Sequence, residues 1–110
     1  MLELNETSEI LIYTRPVDMR KSFNGLIELT KNKLEENPQS KKIFVFRGKS
    51  KRIVKLLIWD RTGYMIVAKK LEVGSFKIYM EEEKKPINKG QLLQFFDGLT
   101  LGIKQKKCYK

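Results

Sequence analysis

The sequence predicts an α+β fold. A mainly antiparallel sheet of four to five strands carries one long helix packed on a face, with a short C-terminal helix beside it. Three observations carry this. Residues 41–72, KKIFVFRGKSKRIVKLLIWDRTGYMIVAKKLE, read as three apolar runs separated by two turn clusters. Residues 19–36 repeat apolar side chains at helical spacing, at Met19, Phe23, Leu26, Ile27 and Leu34. Asn88 and Gln91 form a capping-box pattern ahead of Leu92, Leu93, Phe95 and Phe96. At 110 residues the chain has the length of a single domain, 1–110.

Taken in order, residues 1–8 are polar and expected to be loose. Glu9–Thr14 is a strand that Arg15-Pro16 should end, because proline donates nothing to a ladder. Asp18 stands where an N-cap belongs, and a long helix is expected from Met19 to Glu36, stopped by Asn37-Pro38. Gly25 inside it costs about 1 kcal/mol against alanine, which points to a close backbone approach. Lys42–Arg47, Arg52–Trp59 and Tyr64–Lys70 are the next strands. They are joined by turns at Gly48–Lys51 and Asp60–Gly63, with a positive φ expected at Gly63. Phe76–Met80 is a fifth strand candidate. Glu81–Lys85 reads as an exposed loop, the short helix ends near Gly98, and the basic tail from Lys104 to Lys110 is expected to be loose.

Charge is unevenly placed. The net charge is +10, and residues 42–70 hold nine Lys/Arg against one acid, Asp60. A basic sheet with interleaved aromatics points to a polyanion. Other classes fall away. There is no histidine and a single cysteine, Cys108, so histidine-based acid–base chemistry, thiol–imidazole pairs, an internal disulfide and a cysteine metal cluster are excluded. Asp18, Asp60 and Asp97 each have a local structural role, so no carboxylate metal site is expected. Gly48-Lys49-Ser50 lacks the upstream half of a phosphate-binding loop. No signal peptide or apolar run of membrane-spanning length is read. The expectation is a cytoplasmic protein with no enzymatic activity, no metal, no cofactor and no membrane partner.

Several motifs resemble one family. Pro16-Val17-Asp18-Met19-Arg20-Lys21-Ser22-Phe23 with Gly25-Leu26 is similar to its "P-x-D-M-R-K-S-F-x-G-L" signature. Phe44–Arg47 resembles "FVFR", and Lys55–Asp60 with Gly63 resembles "K-I-L-x-W-D-x-x-G". Lys69–Glu72 with Gly74 and Phe76 resembles "K-R-L-E-x-G-x-F". The order and spacing hold over roughly residues 10 to 100. On these motifs the chain is identified as a member of the TnpB-type, second-reading-frame accessory proteins of insertion-sequence family 66. The resemblance implies a helper of transposition, encoded beside a separate transposase. The motif residues Pro16, Asp18, Met19, Phe23, Gly25, Asp60 and Gly63 are read as structural.

Candidate contacts to DNA, through phosphates and without sequence preference, are Arg20, Lys21, Arg47, Lys49, Lys51, Arg52, Lys55, Arg61, Lys69 and Lys70. Trp59 is a candidate for stacking on a base, and equally for core or interface packing. Each has a plainer counterpart. Asp18–Lys21 is also ordinary helix-start chemistry, and lysines on a hairpin edge also guard it against pairing. The alternative function is a protein-interaction module. It would dock a transposase, other proteins of the same element or a second copy through the Trp59/Phe46 face or the Gly25 face.

Overall fold

The computed structural model describes residues 8–102. The elements are β1 (Ile10–Val17), α1 (Phe23–Asn32), β2 (Ile43–Gly48), β3 (Ile53–Asp60), β4 (Gly63–Lys70), β5 (Ile78–Tyr79), β6 (Lys84–Ile87), α2 (Lys89–Phe96) and β7 (Leu101–Gly102). The expectations for residues 1–7 and for the tail with Cys108 lie outside the described residues.

The main sheet has the order β4-β3-β2-β1-β6, and β5 pairs with β7 in a separate two-stranded sheet. Two hairpins give β2–β3 and β3–β4 antiparallel pairing, with Phe46 opposite Lys55 and Trp59 opposite Tyr64. β1 runs parallel to β2, with α1 as the crossover. β6 closes the other edge antiparallel to β1. The sheet is thus mainly antiparallel with one parallel pair.

Alternation sends side chains to two cores. Ile12, Val45, Val54 and Leu56 meet Phe76, Leu92, Phe95 and Leu101 on one face. Leu11, Tyr13, Phe44, Phe46 and Leu57 meet Leu26 and Leu34 on the other. The two helices therefore cover opposite faces, not one face side by side. A five-stranded sheet with apolar residues on both sides needs a layer on each.

Several expectations are corrected. The helix is ten residues long, not eighteen: α1 starts after Ser22, whose side chain makes no cap hydrogen bond. Asp18 is not its cap. Its carboxylate is taken up by Arg20, whose backbone N–H donates to Oδ1 at 2.9 Å. The helix ends before Asn37-Pro38 because Glu35 adopts φ 54° and the Glu36 N–H donates to the Thr30 carbonyl at 3.0 Å. Glu35 is a non-glycine residue in the left-handed region just past the helix, where glycine is the usual choice. Phe23 opens α1 and is 45% exposed, outside the core. Strand β1 continues through Pro16 to Val17, because the register shifts between Tyr13 and Pro16. The missing N–H falls at that irregularity, where the ladder does not need it.

Lys84 and Lys85 of the expected exposed loop belong to edge strand β6 with Pro86, which an edge tolerates. Glu81–Glu83 are tied to β1: Thr14 N–H donates to the Glu83 carbonyl at 2.9 Å, and Arg15 Nη2 to that of Glu81 at 2.8 Å. The fifth strand shrinks to Ile78–Tyr79 and leaves the main sheet. The positive φ of the β3–β4 turn lies at Arg61 (51°), while Gly63 pairs with Asp60 as the first residue of β4.

Candidate nucleic-acid interface

The β2–β3 turn is built around Gly48. Lys51 N–H donates to the Gly48 carbonyl at 3.0 Å, and Lys51 takes φ 65°. That left-handed backbone costs a lysine about 1 kcal/mol that glycine would not incur. The turn lifts Lys49 and Lys51 into solvent. Lys49 N–H donates to the Val17 carbonyl at 3.0 Å, which brings the end of β1 alongside. A Cβ on Gly48 would stand 2.3 Å from Met19 Cγ, so the glycine is the seat on which Met19 packs.

The Asp18–Lys21 segment consequently lies against the turn, although thirty residues of chain separate them. Lys21 N–H donates to the Asp18 carbonyl at 3.1 Å. Arg20 grips Asp18 through Nε at 3.0 Å and Nη2 at 2.6 Å. Hydrogen bonds from the Arg20 side chain, then from its backbone, hold the Asp18 carboxyl well below the usual carboxylate range. Lys55, reaching out of the middle of the sheet, donates Nζ to the Met19 carbonyl at 2.9 Å and to the Lys21 carbonyl at 2.8 Å. Between turn and segment lies a shallow depression of about 320 Å³ lined by Asp18, Met19, Arg20, Lys49, Ser50 and Ile53.

At the same end of the sheet, Lys69 and Lys70 sit opposite Val54 and Ile53. Arg52 binds the exit of β4, with Nη1 donating to the Glu72 carbonyl at 2.9 Å. Lys69 turns to the other face, 5.4 Å from the Phe96 ring centroid and 3.9 Å from Asp97. Lys21, Lys49, Lys51 and Lys70 form no ion pair among the described residues.

Three candidates stand elsewhere. Arg47 is only 7% exposed, and burial pushes its pKa down from the ordinary arginine value. It faces the core beside Val54, so it is not part of the exposed surface. Trp59 and Arg61 lie at the opposite end of β3, about 23 Å away at the rise of an extended strand. Trp59 is half-buried and edge-on to Tyr64, centroids 5.0 Å apart. Arg61 is exposed 3.6 Å from Asp60.

Ser50 was absent from the sequence-derived candidates, and its only signal was its place between two lysines. Gly25 has no other element's backbone against it; its crowding neighbour is the Lys21 stem, 2.8 Å from a notional Cβ.

The comparisons with known proteins decide the lineage. The family model described as "IS66 Orf2 like protein" matches residues 8–106. The chain belongs to the IS66 Orf2-like family. IS66 Orf2-like proteins are accessory proteins of insertion sequences, and the family implies a transposition accessory role here.

The chain is also similar to two uncharacterized proteins of Sinorhizobium fredii. It is 39% identical to y4jC over 67 residues, 61% of this chain and 57% of that protein. It is 33% identical to y4hO over 76 residues, 69% of this chain and 66% of that protein. The chain thus spans less than two thirds of either relative. No solved structure matches. Among the described residues, no group of three His, Cys, Asp or Glu is placed to hold a metal ion, and no helix is long and apolar enough to cross a membrane.

Proposed function

We propose that this chain is a non-catalytic accessory protein of transposition, working in the cytoplasm, that binds nucleic acid with the β2–β3 turn end of its sheet. The observation that carries the reading is the convergence of two distant segments onto one cationic surface. Lys21, Lys49, Lys51 and Lys70 form no ion pair among the described residues, although the Lys49 charge is felt by Asp18, and Arg52 and Lys55 are held by carbonyls, which leave their charge in place. The one carboxylate in the depression, Asp18, is taken up by Arg20.

Such a surface meets phosphates, and nothing in it favours one base over another. No helix is assigned to groove reading in this proposal, so the transposase of the same element is the natural source of sequence specificity. The test is fluorescence anisotropy of labelled duplex and single-stranded DNA over a salt series. Binding with a log–log slope equivalent to several released counterions supports the reading, and no binding at low salt refutes it.

A second reading rests on a separate observation. β4 is an open edge eight residues long, and it carries Met65 at 42% exposure. An exposed edge of this kind takes an added strand from a transposase or from a second copy. Phe46 is fully buried and offers no docking surface. Size-exclusion chromatography with and without the transposase separates this reading from direct DNA binding.

A further inference from the structure

We infer that Arg47 is the seat of a phosphate-type oxyanion, a binding site recessed behind the exposed cationic surface. The guanidinium projects from β2 to the face of the sheet covered by Phe76, opposite Val54. It is 7% exposed. Among the described residues its single acceptor is the Phe76 carbonyl, reached by Nη1 at 3.4 Å, long for a hydrogen bond. Nε is buried and has no partner among the described residues. No carboxylate forms an ion pair with it among the described residues.

A buried carboxylate or lysine in this position would relieve itself by changing protonation. Arginine does not, because its charge persists at every working pH. A desolvated, unpaired guanidinium is among the costliest groups a core can hold. Native interiors keep such charges where something compensates them. Here the neighbours make matters worse rather than better. The Phe76 N–H donates to the Lys51 carbonyl at 2.6 Å, so the segment covering Arg47 is fastened to the basic turn. Lys77, next along that segment, is exposed and basic too.

The group that would compensate this charge is an anion. The unused edge of a planar fork, offering parallel donors, matches two oxygens of a tetrahedral oxyanion. The surrounding positive field favours a multivalent one over chloride. The site is independent of the nucleic-acid reading: free phosphate or a terminal phosphate of an oligonucleotide presents the same chemistry.

The probe is inorganic phosphate. Thermal unfolding of the whole chain is followed as phosphate replaces chloride at matched ionic strength, with acetate as a second control. The expected result is a rise that grows with the logarithm of phosphate concentration, roughly 5 °C at tenfold above the dissociation constant, absent with chloride and acetate. Arg47→Met should lose the rise, while Lys49→Glu, on the exposed surface, should keep most of it. Should Arg47→Met fail to fold, Arg47→Lys decides: charge without the fork should give less than half the wild-type response. Oligonucleotides with and without a 5′-phosphate identify the source. Tighter binding of the phosphorylated strand, erased by Arg47→Lys, assigns a terminal phosphate; equal binding assigns the free ion. The inference is overturned if phosphate raises the melting temperature no more than chloride or acetate does. It is also overturned if the Arg47 variants respond as the wild type does.

Discussion

The two ends of the main sheet carry cations in opposite ways. At the β3–β4 turn end, Lys42 and Arg61 have acids beside them, while exposed Lys41 forms no ion pair among the described residues. Lys42 is 2.8 Å from Glu36 and 3.8 Å from Glu9, and Arg61 is 3.6 Å from Asp60. Glu36 also receives Lys84 at 2.8 Å, which ties the end of α1 to β2 and β6. At the β2–β3 turn end, four lysines form no ion pair among the described residues, and two more cations rest on carbonyls. The same residue types hold a fold together at one end and leave a net field at the other. A count of charges along the chain does not separate these uses; the pairing does.

Breaking that contrast should give the largest effect at the turn. Lys49→Glu with Lys51→Glu should lower duplex affinity at least 100-fold at moderate salt, because it both removes and opposes phosphate contacts. The mirror change Arg61→Glu should cost less than about threefold. Competition anisotropy at one fixed salt concentration checks both.

Lys55→Met should act through the fold rather than through lost charge alone. It removes the hydrogen bonds that Nζ gives to the part-buried Met19 carbonyl and the exposed Lys21 carbonyl, at a cost of about 1 kcal/mol because water can replace the donor. Urea unfolding would show a lower midpoint with an unchanged m-value, and binding should weaken as the Asp18–Lys21 segment loosens. Gly48→Ala should cost roughly 1–3 kcal/mol by overpacking against Met19. Adding Met19→Ala should recover part of that loss; strict additivity would deny the contact.

Lys51→Gly sharpens the comparison by moving stability and binding in opposite directions. Relief of φ 65° should stabilise the fold by up to about 1 kcal/mol. The lost charge should reduce the salt slope by about 0.9. If glycine at 51 leaves binding intact, that lysine is not a contact.

The smallest effect is on pH dependence, at the neutralised end. Hydrogen bonds from Lys42 and then Lys84 hold the Glu36 carboxyl below its ordinary value. A carboxyl whose folded pKa is lowered stabilises the fold above its unfolded value, and that contribution is lost as pH falls through the folded one. Acid unfolding should therefore steepen below about pH 4.5 in the wild type. Glu36→Gln should flatten that limb, as read by circular dichroism across pH 2 to 6. The β2–β3 turn end offers no matching limb from unpaired carboxylates. Asp18 there is held ionised to still lower pH by Arg20.

Much of this was legible in the chain. The apolar runs with turn residues between them placed β2, β3 and β4 within a residue or so. The Asn88/Gln91 box placed α2, with both reciprocal hydrogen bonds present. Strand alternation also put Lys55 on the face of Leu57 and Trp59. The same alternation, applied to KIFVFR, puts Arg47 on the face of Ile43 and Val45, and so had already pointed away from the surface.

What was not legible depends on long-range contact. Asp18 before an apolar repeat looks like a cap, but its carboxylate finds Arg20 first, and only the packing of Met19 on Gly48 fixes that turn. Pro16 looks like a stop, but an irregularity in β1 absorbs it. β6 is too short and too charged to read as a strand until β1 stands beside it.

The most direct test of the central claim is the salt slope of duplex binding in neutralised variants, measured by anisotropy in one buffer series. Lys49→Gln with Lys51→Gln should reduce the log–log slope by about 1.8, and Arg61→Gln by less than about 0.5. Equal losses from both ends, or a slope indifferent to either change, would contradict an interface seated at the β2–β3 turn.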